Sequence, residues 1–180
     1  MMNCWKSINL DKHYGLKRIN LISCFIGLIA FILLYVPFSM LHLDKQVQQV
    51  GILVFIIAIV LLPTLHSFMH ILPLIIMNRR INLKITRKKV LPIFTFYIVS
   101  HISKKNYIIS LIMPSLLITI PCIVAGIIFP MVYVYALLIA AVNIGLSFLD
   151  FLTIRHLWKA PNNAYVENGE EGFDILLKAN

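Results

Sequence analysis

The chain has 180 residues, of which 60% are hydrophobic and only 13% are charged. A mean hydropathy of +0.89 excludes an ordinary soluble globular protein, and it excludes a disordered chain, which needs low hydrophobicity and high charge. The formal net charge of +9 does not indicate nucleic-acid binding, because the basic residues lie in short segments beside apolar runs. The composition predicts a polytopic membrane protein whose first partner is the lipid bilayer.

Four apolar runs are long enough to cross the hydrocarbon core as helices, which requires about 20 residues. They cover residues 19–41, 50–77, 107–129 and 131–154, and Asp150 in the last run is their only charged residue. The first run exceeds the ~7–15 apolar residues of a signal peptide and no small-residue cleavage site follows it, so we expect a retained helix. The pattern predicts an all-α, four-helix membrane bundle that forms a single integral-membrane domain over residues 1–180.

The distribution of lysine and arginine predicts the orientation of this bundle. Four basic residues precede the first run and eight lie between residues 78 and 106, whereas the connections at 42–49 and near residue 130 carry almost none. Because basic loops stay on the cytoplasmic side, we expect both termini, the loop 78–106 and the tail 155–180 to be cytoplasmic in a cell-membrane protein. The basic loop itself is interpreted as an orientation signal in contact with anionic lipid, with a protein partner as the alternative.

Two segments outside the spans have β character. Residues 90–99 (VLPIFTFYIV) are rich in β-branched and aromatic residues but too short to span as a helix, which favours one or two strands or a re-entrant piece. The tail contains AYV and FDILL between turn-forming residues, which favours turns and a short strand. The predicted fold therefore includes a small β element on the cytoplasmic face.

Polar residues inside two of the spans are the candidate functional groups. His66 and His70 stand one helical turn apart on one face of the second span, a spacing that allows two imidazoles to bind one metal ion. Asn143, Ser147 and Asp150 form one polar stripe on the fourth span. Both spans run from outside to inside, so the histidines and the carboxylate lie in the cytoplasmic half and can meet. Two histidines and a carboxylate are a catalytic zinc ligand set with a fourth position open.

Other interpretations of the same residues stay open. Without metal, the two histidines would bond Asn143, Ser147 or backbone carbonyls across a helix pair. Asp150 would then act as a cap or interfacial anchor near Arg155 and His156. Helix packing and kinking is the expected role of the polar and proline residues of the third span, namely Ser110, Pro114, Ser115, Thr119 and Pro121.

At these residues the chain resembles a family of bacterial membrane proteins described as putative zincin peptidases, which are similar in plan to site-2-type intramembrane metalloproteases. The resemblance rests on 65–70 (LHSFMH) in the place of HExxH, the following 71–73 (ILP), 147–150 (SFLD), and the tail 161–175 with its GFDI. It extends loosely from about residue 50 to the C-terminus. It implies that His66, His70 and Asp150 bind zinc and that a water activated by the metal attacks a peptide bond near the membrane.

The chain departs from this pattern at Ser67, which stands where the family pattern has its general-base glutamate. A serine hydroxyl has no useful basicity near neutral pH, and loss of a general base typically lowers the rate by about 10²–10⁴. Three replacements are conceivable. They are Asp150 acting as base rather than ligand, His101, and an acid of the tail, namely Glu167, Glu170, Glu171 or Asp174.

Two functional hypotheses follow from these residues. The first is a zincin-like membrane protein of the metallopeptidase type, degenerate at Ser67, which acts on or binds a membrane protein or peptide. The second is a membrane adaptor or substrate-binding protein with neither metal nor catalysis. A small transporter finds little support, because the polar residues cluster in one half of the bilayer and do not line a path across it.

Overall fold

The computed structural model describes residues 2–42, 52–77, 83–87, 94–98, 101–169 and 172–178. It confirms the predicted fold class, because it is mostly helical, has four helices long and apolar enough to cross a membrane, and carries a small antiparallel sheet. These four helices are Lys12–Leu41, Ile52–Ile76, Lys104–Ile128 and Tyr133–Trp158. The first, third and fourth helices continue beyond the predicted apolar runs into charged residues, because helical hydrogen bonding does not end where hydropathy falls.

The first half of the bundle contains α1 (Leu16–Leu41), α2 (Ile52–Met69) and α3 (Leu72–Ile76), and a π-helical turn at Asp11–Gly15 precedes α1. The second predicted run is thus interrupted after Met69. Pro73 accounts for the interruption, because proline lacks the N–H that would bond to the Met69 carbonyl and its ring clashes there.

The second half contains α4 (Lys104–Pro114), α5 (Ile120–Ile128), α6 (Tyr133–Leu146) and α7 (Phe148–Trp158). A π-helical turn at Ser115–Thr119 joins α4 to α5, and Ser147 separates α6 from α7. The fourth helix is the most enclosed, because 44% of its most apolar stretch is buried against 6% of that of the first. Helix α6 contacts α1, α2 and α5 and lies at the centre of the bundle.

Small residues bring α1 and α6 close together. A Cβ atom built on Gly27 would lie 3.2 Å from the Ala141 carbonyl oxygen, and one built on Gly145 would lie 2.8 Å from the Ser23 carbonyl oxygen. Ser23 and Gly27 are four residues apart, as are Ala141 and Gly145. This small-xxx-small spacing is common where helices pack closely in membranes. The hydrophobic effect does not drive helices together in lipid, so close packing of small residues contributes instead.

A four-stranded antiparallel sheet covers one end of the bundle, in the order β1-β6-β5-β4. The strands are β1 (Met2–Ile8), β4 (Ile102–Ser103), β5 (Tyr165–Gly169) and β6 (Gly172–Lys178). The tail strand was predicted, whereas β1 was not. Because β1 pairs with β6, from Met2 opposite Lys178 to Ile8 opposite Phe173, both ends of the chain lie on the same face of the bundle.

A separate two-stranded sheet pairs β2 (Leu83–Arg87) with β3 (Phe94–Ile98) in antiparallel register. Strand β3 lies inside the predicted segment 90–99, and the rest of that segment, residues 90–93 and 99, is outside the described residues. The hairpin is adjacent to α2 and β5 through β3. Leu74, which follows the end of α2, packs in one core cluster with Ile102 of β4 and Ile175 of β6, so α2 finishes at the sheet end of the bundle.

Candidate metal centre

Three side chains converge where α2 ends beside the start of α7. His66 lies in the last turn of α2, His70 directly follows Met69, and Asp150 lies in the first turn of α7. The His66 Nε2 atom is 3.0 Å from Asp150 Oδ2, and the His70 Nε2 atom is 3.4 Å from Asp150 Oδ1. One potential ligand atom from each residue lies within 4.8 Å of the others. The one-turn spacing of the two histidines and the shared direction of the second and fourth spans predicted that these three side chains can lie close together.

Asn143 on α6 orients the first histidine. Its Oδ1 atom is 2.8 Å from His66 Nδ1, while its Nδ2 atom donates to the Pro114 carbonyl at 3.1 Å and to Thr119 Oγ1 at 2.9 Å. The Pro114 carbonyl can only accept, so the amide nitrogen of Asn143 must face it and the amide oxygen must face the imidazole. His66 Nδ1 therefore carries the proton and donates it to Asn143.

Ser110 on α4 orients the second histidine. His70 Nδ1 donates to the Ser110 carbonyl oxygen at 2.9 Å, and the Ser110 hydroxyl donates back to the His70 carbonyl oxygen. The two residues thus hold each other at two points. Because a carbonyl oxygen can only accept, His70 Nδ1 is also the protonated ring nitrogen.

These two contacts decide what faces the carboxylate. With the proton on Nδ1, a neutral histidine has a lone pair on Nε2, and both Nε2 atoms point at Asp150. Two lone pairs and a carboxylate would repel one another in a buried site, where His66 is 7% exposed and Asp150 is 9% exposed. A proton shared between the carboxyl group and one Nε2 atom, or a metal ion bound by all three groups, would remove this repulsion.

The donor set and its dimensions fit zinc. Tetrahedral zinc with ligands at about 2.0–2.1 Å places neighbouring ligand atoms roughly 3.3 Å apart, and each Nε2 atom lies at a similar distance, 3.0 or 3.4 Å, from one of the two different Asp150 oxygens. Histidine ligands of metals characteristically donate their second ring N–H to a carbonyl, an amide or a carboxylate, as both do here. The cluster of His66, His70 and Asp150 is therefore compatible with a bound zinc ion.

The metal-free interpretation of the histidines describes real contacts as well. Bonds to Asn143 and to a backbone carbonyl are both present, but they use the Nδ1 atoms and leave the Nε2 atoms facing Asp150. The Ser147 hydroxyl donates to the Asn143 carbonyl and accepts from the Ser115 hydroxyl, so its hydrogen bonds go to these residues and not to a histidine. Asp150 contacts the two histidines, whereas His156, its expected neighbour as an interfacial anchor, contacts Tyr14.

A cavity of about 740 Å³ opens beside the cluster, between α1, α2 and α6. Its lining is mostly apolar, and among the described residues Asp150 is its only acidic member; Ser67 lies on its wall. His101 and Glu167, two of the conceivable bases, pair with each other at 3.5 Å and do not line it. Asp174 does not line it either, and Glu170 and Glu171 lie outside the described residues.

The third span contributes more to this site than the sequence suggested. Ser110, Pro114 and Thr119 were expected to serve packing and kinking, yet each bonds to His70 or to Asn143. A signal for Ser110 and Pro114 exists in the sequence, since proline removes a helical hydrogen bond from the carbonyl four residues earlier. No such signal marks Thr119.

A family model described as "Putative zincin peptidase" matches residues 59–165, more than half of the chain. The protein belongs to this family, which supports a metallopeptidase-like interpretation, and four of its helices are long and apolar enough to cross a membrane. The matched segment contains His66, Ser67, His70 and Asp150, and it ends before the GFDI segment of the tail. No curated protein and no solved structure matches the chain.

Proposed function

We propose that the protein is a membrane zincin-type protein that binds one divalent ion, with zinc as the leading candidate, through His66 Nε2, His70 Nε2 and the Asp150 carboxylate. The observation that carries this proposal is the convergence of three acceptor atoms after both Nδ1 atoms have been engaged by Asn143 and Ser110. When bound, zinc supplies Lewis-acid activation of a carbonyl and of water. The protein supplies the oriented ligands and a mostly apolar cavity.

Ser67 makes the protein a degenerate member of the peptidase class. Its hydroxyl cannot take a proton from water near neutral pH, so rates about 10²–10⁴ below those of a complete enzyme are expected. Asp150 is the one acid on the cavity wall among the described residues, and as a metal ligand it is not free to act as base. Binding of a peptide or membrane-protein segment, with slow hydrolysis or none, is the function that this residue set supports best.

The second candidate function is a metal-free membrane adaptor. The cavity between α1 and α2 favours it, because a partner segment would fit there whether or not an ion is bound. Within the described ranges no third strand pairs with the β2–β3 hairpin, which contacts α2, so a strand of the partner could add to it in either case.

Orientation follows from charge. Both termini lie at the sheet end, close to the end of α2, and the basic residues of the N-terminal arm and of the segment 78–106 favour the cytoplasmic side for this end. The metal centre would then open toward the cytoplasmic half of a bacterial cell membrane, with residues 1–180 forming one membrane domain.

Metal analysis of the detergent-purified protein tests the first candidate. Wild-type protein exposed to zinc and then dialysed should retain one ion per chain, and the double variant His66→Ala, His70→Ala should retain none. The matched control replaces two histidines outside the cluster, His42→Ala and His101→Ala, and should keep the metal. A metal-free wild type under saturating zinc would overturn the proposal and leave the adaptor.

The Ser67→Glu variant separates an enzyme scaffold from a binder. Zinc-dependent cleavage of a membrane-protein substrate by Ser67→Glu, absent from Ser67→Gln, would identify a peptidase that lacks one group. Retained metal without any cleavage in Ser67→Glu would mean that the binding of a partner is the function.

A further inference from the structure

Pro114 alters the hydrogen bonding of the helix turn that faces His70. In an α-helix the N–H of residue 114 would donate to the carbonyl of residue 110, but proline has no N–H. The next N–H, that of Ser115, donates to the Ile112 carbonyl instead. The Ser110 carbonyl therefore lacks its helical donor, although it lies in the interior of the third span.

His70 occupies this acceptor. The Ser110 carbonyl receives the proton of His70 Nδ1 at 2.9 Å, in a region where Pro114 and Ser110 are almost completely buried. A buried carbonyl without a partner is costly, and lipid offers none, so the freed carbonyl favours the imidazole orientation that supplies a donor. The same orientation turns His70 Nε2 toward Asp150.

Pro114 acts on the other histidine as well. Its own carbonyl accepts from Asn143 Nδ2 at 3.1 Å, which holds the Asn143 amide oxygen toward His66 Nδ1. One residue thus provides an acceptor for Asn143 and exposes an acceptor for His70. The π-helical turn that begins after Pro114 keeps this part of the helix out of regular α-helical pairing.

We propose that Pro114 is a positioning residue for the metal centre: by withholding a backbone N–H from the Ser110 carbonyl, it selects the His70 tautomer whose Nε2 lone pair faces the metal position. The part of this proposal that concerns metal affinity rests on the proposed function. The part that concerns the tautomer applies to the metal-free protein.

Restoring the N–H at residue 114 tests the proposal. In Pro114→Ala and Pro114→Val the new N–H would compete with His70 Nδ1 for the Ser110 carbonyl, so zinc affinity should fall by about 10- to 100-fold, as for loss of other groups that orient metal ligands. Valine fills more of the space of the proline ring, which distinguishes the hydrogen bond from packing. Pro121→Ala makes the same chemical change at an exposed position of the same span, away from the cavity, and should leave affinity unchanged.

Nitrogen-15 NMR of histidine-labelled, metal-free protein provides a readout that needs no metal. The His70 signals, assigned by their loss in His70→Gln, should show a protonated, hydrogen-bonded Nδ1 in wild type and in Pro121→Ala. Both residue-114 variants should shift His70 toward the Nε2-protonated tautomer.

Three results would overturn the proposal: His70 spectra unchanged in both residue-114 variants, an equal effect of Pro121→Ala, or a loss in Pro114→Ala that Pro114→Val does not share. A wild type that binds no zinc but shows the expected tautomer change would refute the proposed function and leave the positioning role of Pro114 supported.

Discussion

Replacing Asn143 with leucine should damage the bundle and the metal centre together. Asn143 is 0% exposed and makes three side-chain hydrogen bonds, to His66, Pro114 and Thr119. Leucine has a similar shape and none of these bonds. Interhelical hydrogen bonds in membranes are worth about 0.6 kcal/mol on average and about 1.7 kcal/mol at most, so three of them predict a loss of about 2 kcal/mol, with about 5 kcal/mol as the upper bound.

The matched control is Thr119→Val, which removes one of these three bonds and keeps the contact between Asn143 and His66. It should cost about 0.6 kcal/mol and leave zinc affinity unchanged, whereas Asn143→Leu should lower zinc affinity by about 10- to 100-fold. Unfolding of the detergent-purified proteins in dodecyl sulfate, followed by circular dichroism, gives the free energies. The reasoning fails if both variants cost the same, or if Asn143→Leu keeps wild-type metal affinity.

Two further predictions concern helix packing and helix capping. Gly145→Ala should destabilise the bundle by about 1–3 kcal/mol, because its new Cβ would lie 2.8 Å from a backbone carbonyl of α1 that cannot move alone. Gly126→Ala should cost less, because its Cβ would meet a phenylalanine ring that can turn. Equal midpoints of the two variants in thermal unfolding would contradict this prediction. The buried ammonium of Lys104 donates to carbonyls at the end of α7, so Lys104→Met should speed amide hydrogen exchange there. Lys105→Met, at an exposed position, should not. A wild-type exchange pattern in Lys104→Met would refute the capping role.

Much of the architecture could be predicted from sequence, because a bilayer imposes one strong rule on it. Runs of about 20 apolar residues must be helices, and the distribution of lysine and arginine sets their parity. The second and fourth spans cross the bilayer in the same direction, so their final halves lie on the same side. The approach of His66, His70 and Asp150 could therefore be predicted without any contact information. The residues that surround them could not be predicted with the same rule.

What the sequence did not reveal depends on long-range pairing. Strand β1 contains Trp5 and Lys6 in a mostly exposed segment, and only its pairing with β6 at the other end of the chain makes it a strand. The roles of Ser110 and Pro114 likewise depend on which helix faces them. A proline in a membrane helix predicts a kink, but only the neighbouring helix determines what bonds to the carbonyl it leaves free.

The most direct test of the account is zinc X-ray absorption spectroscopy of the metal-loaded protein. In wild type it should give a shell of nitrogen and oxygen atoms at about 2.0–2.1 Å with the scattering pattern of two imidazoles, whereas His66→Ala, His70→Ala should retain no zinc and give no such spectrum. A sulfur ligand at about 2.3 Å, which Cys24 on the cavity wall could provide, would contradict the account, as would a wild-type spectrum without imidazole.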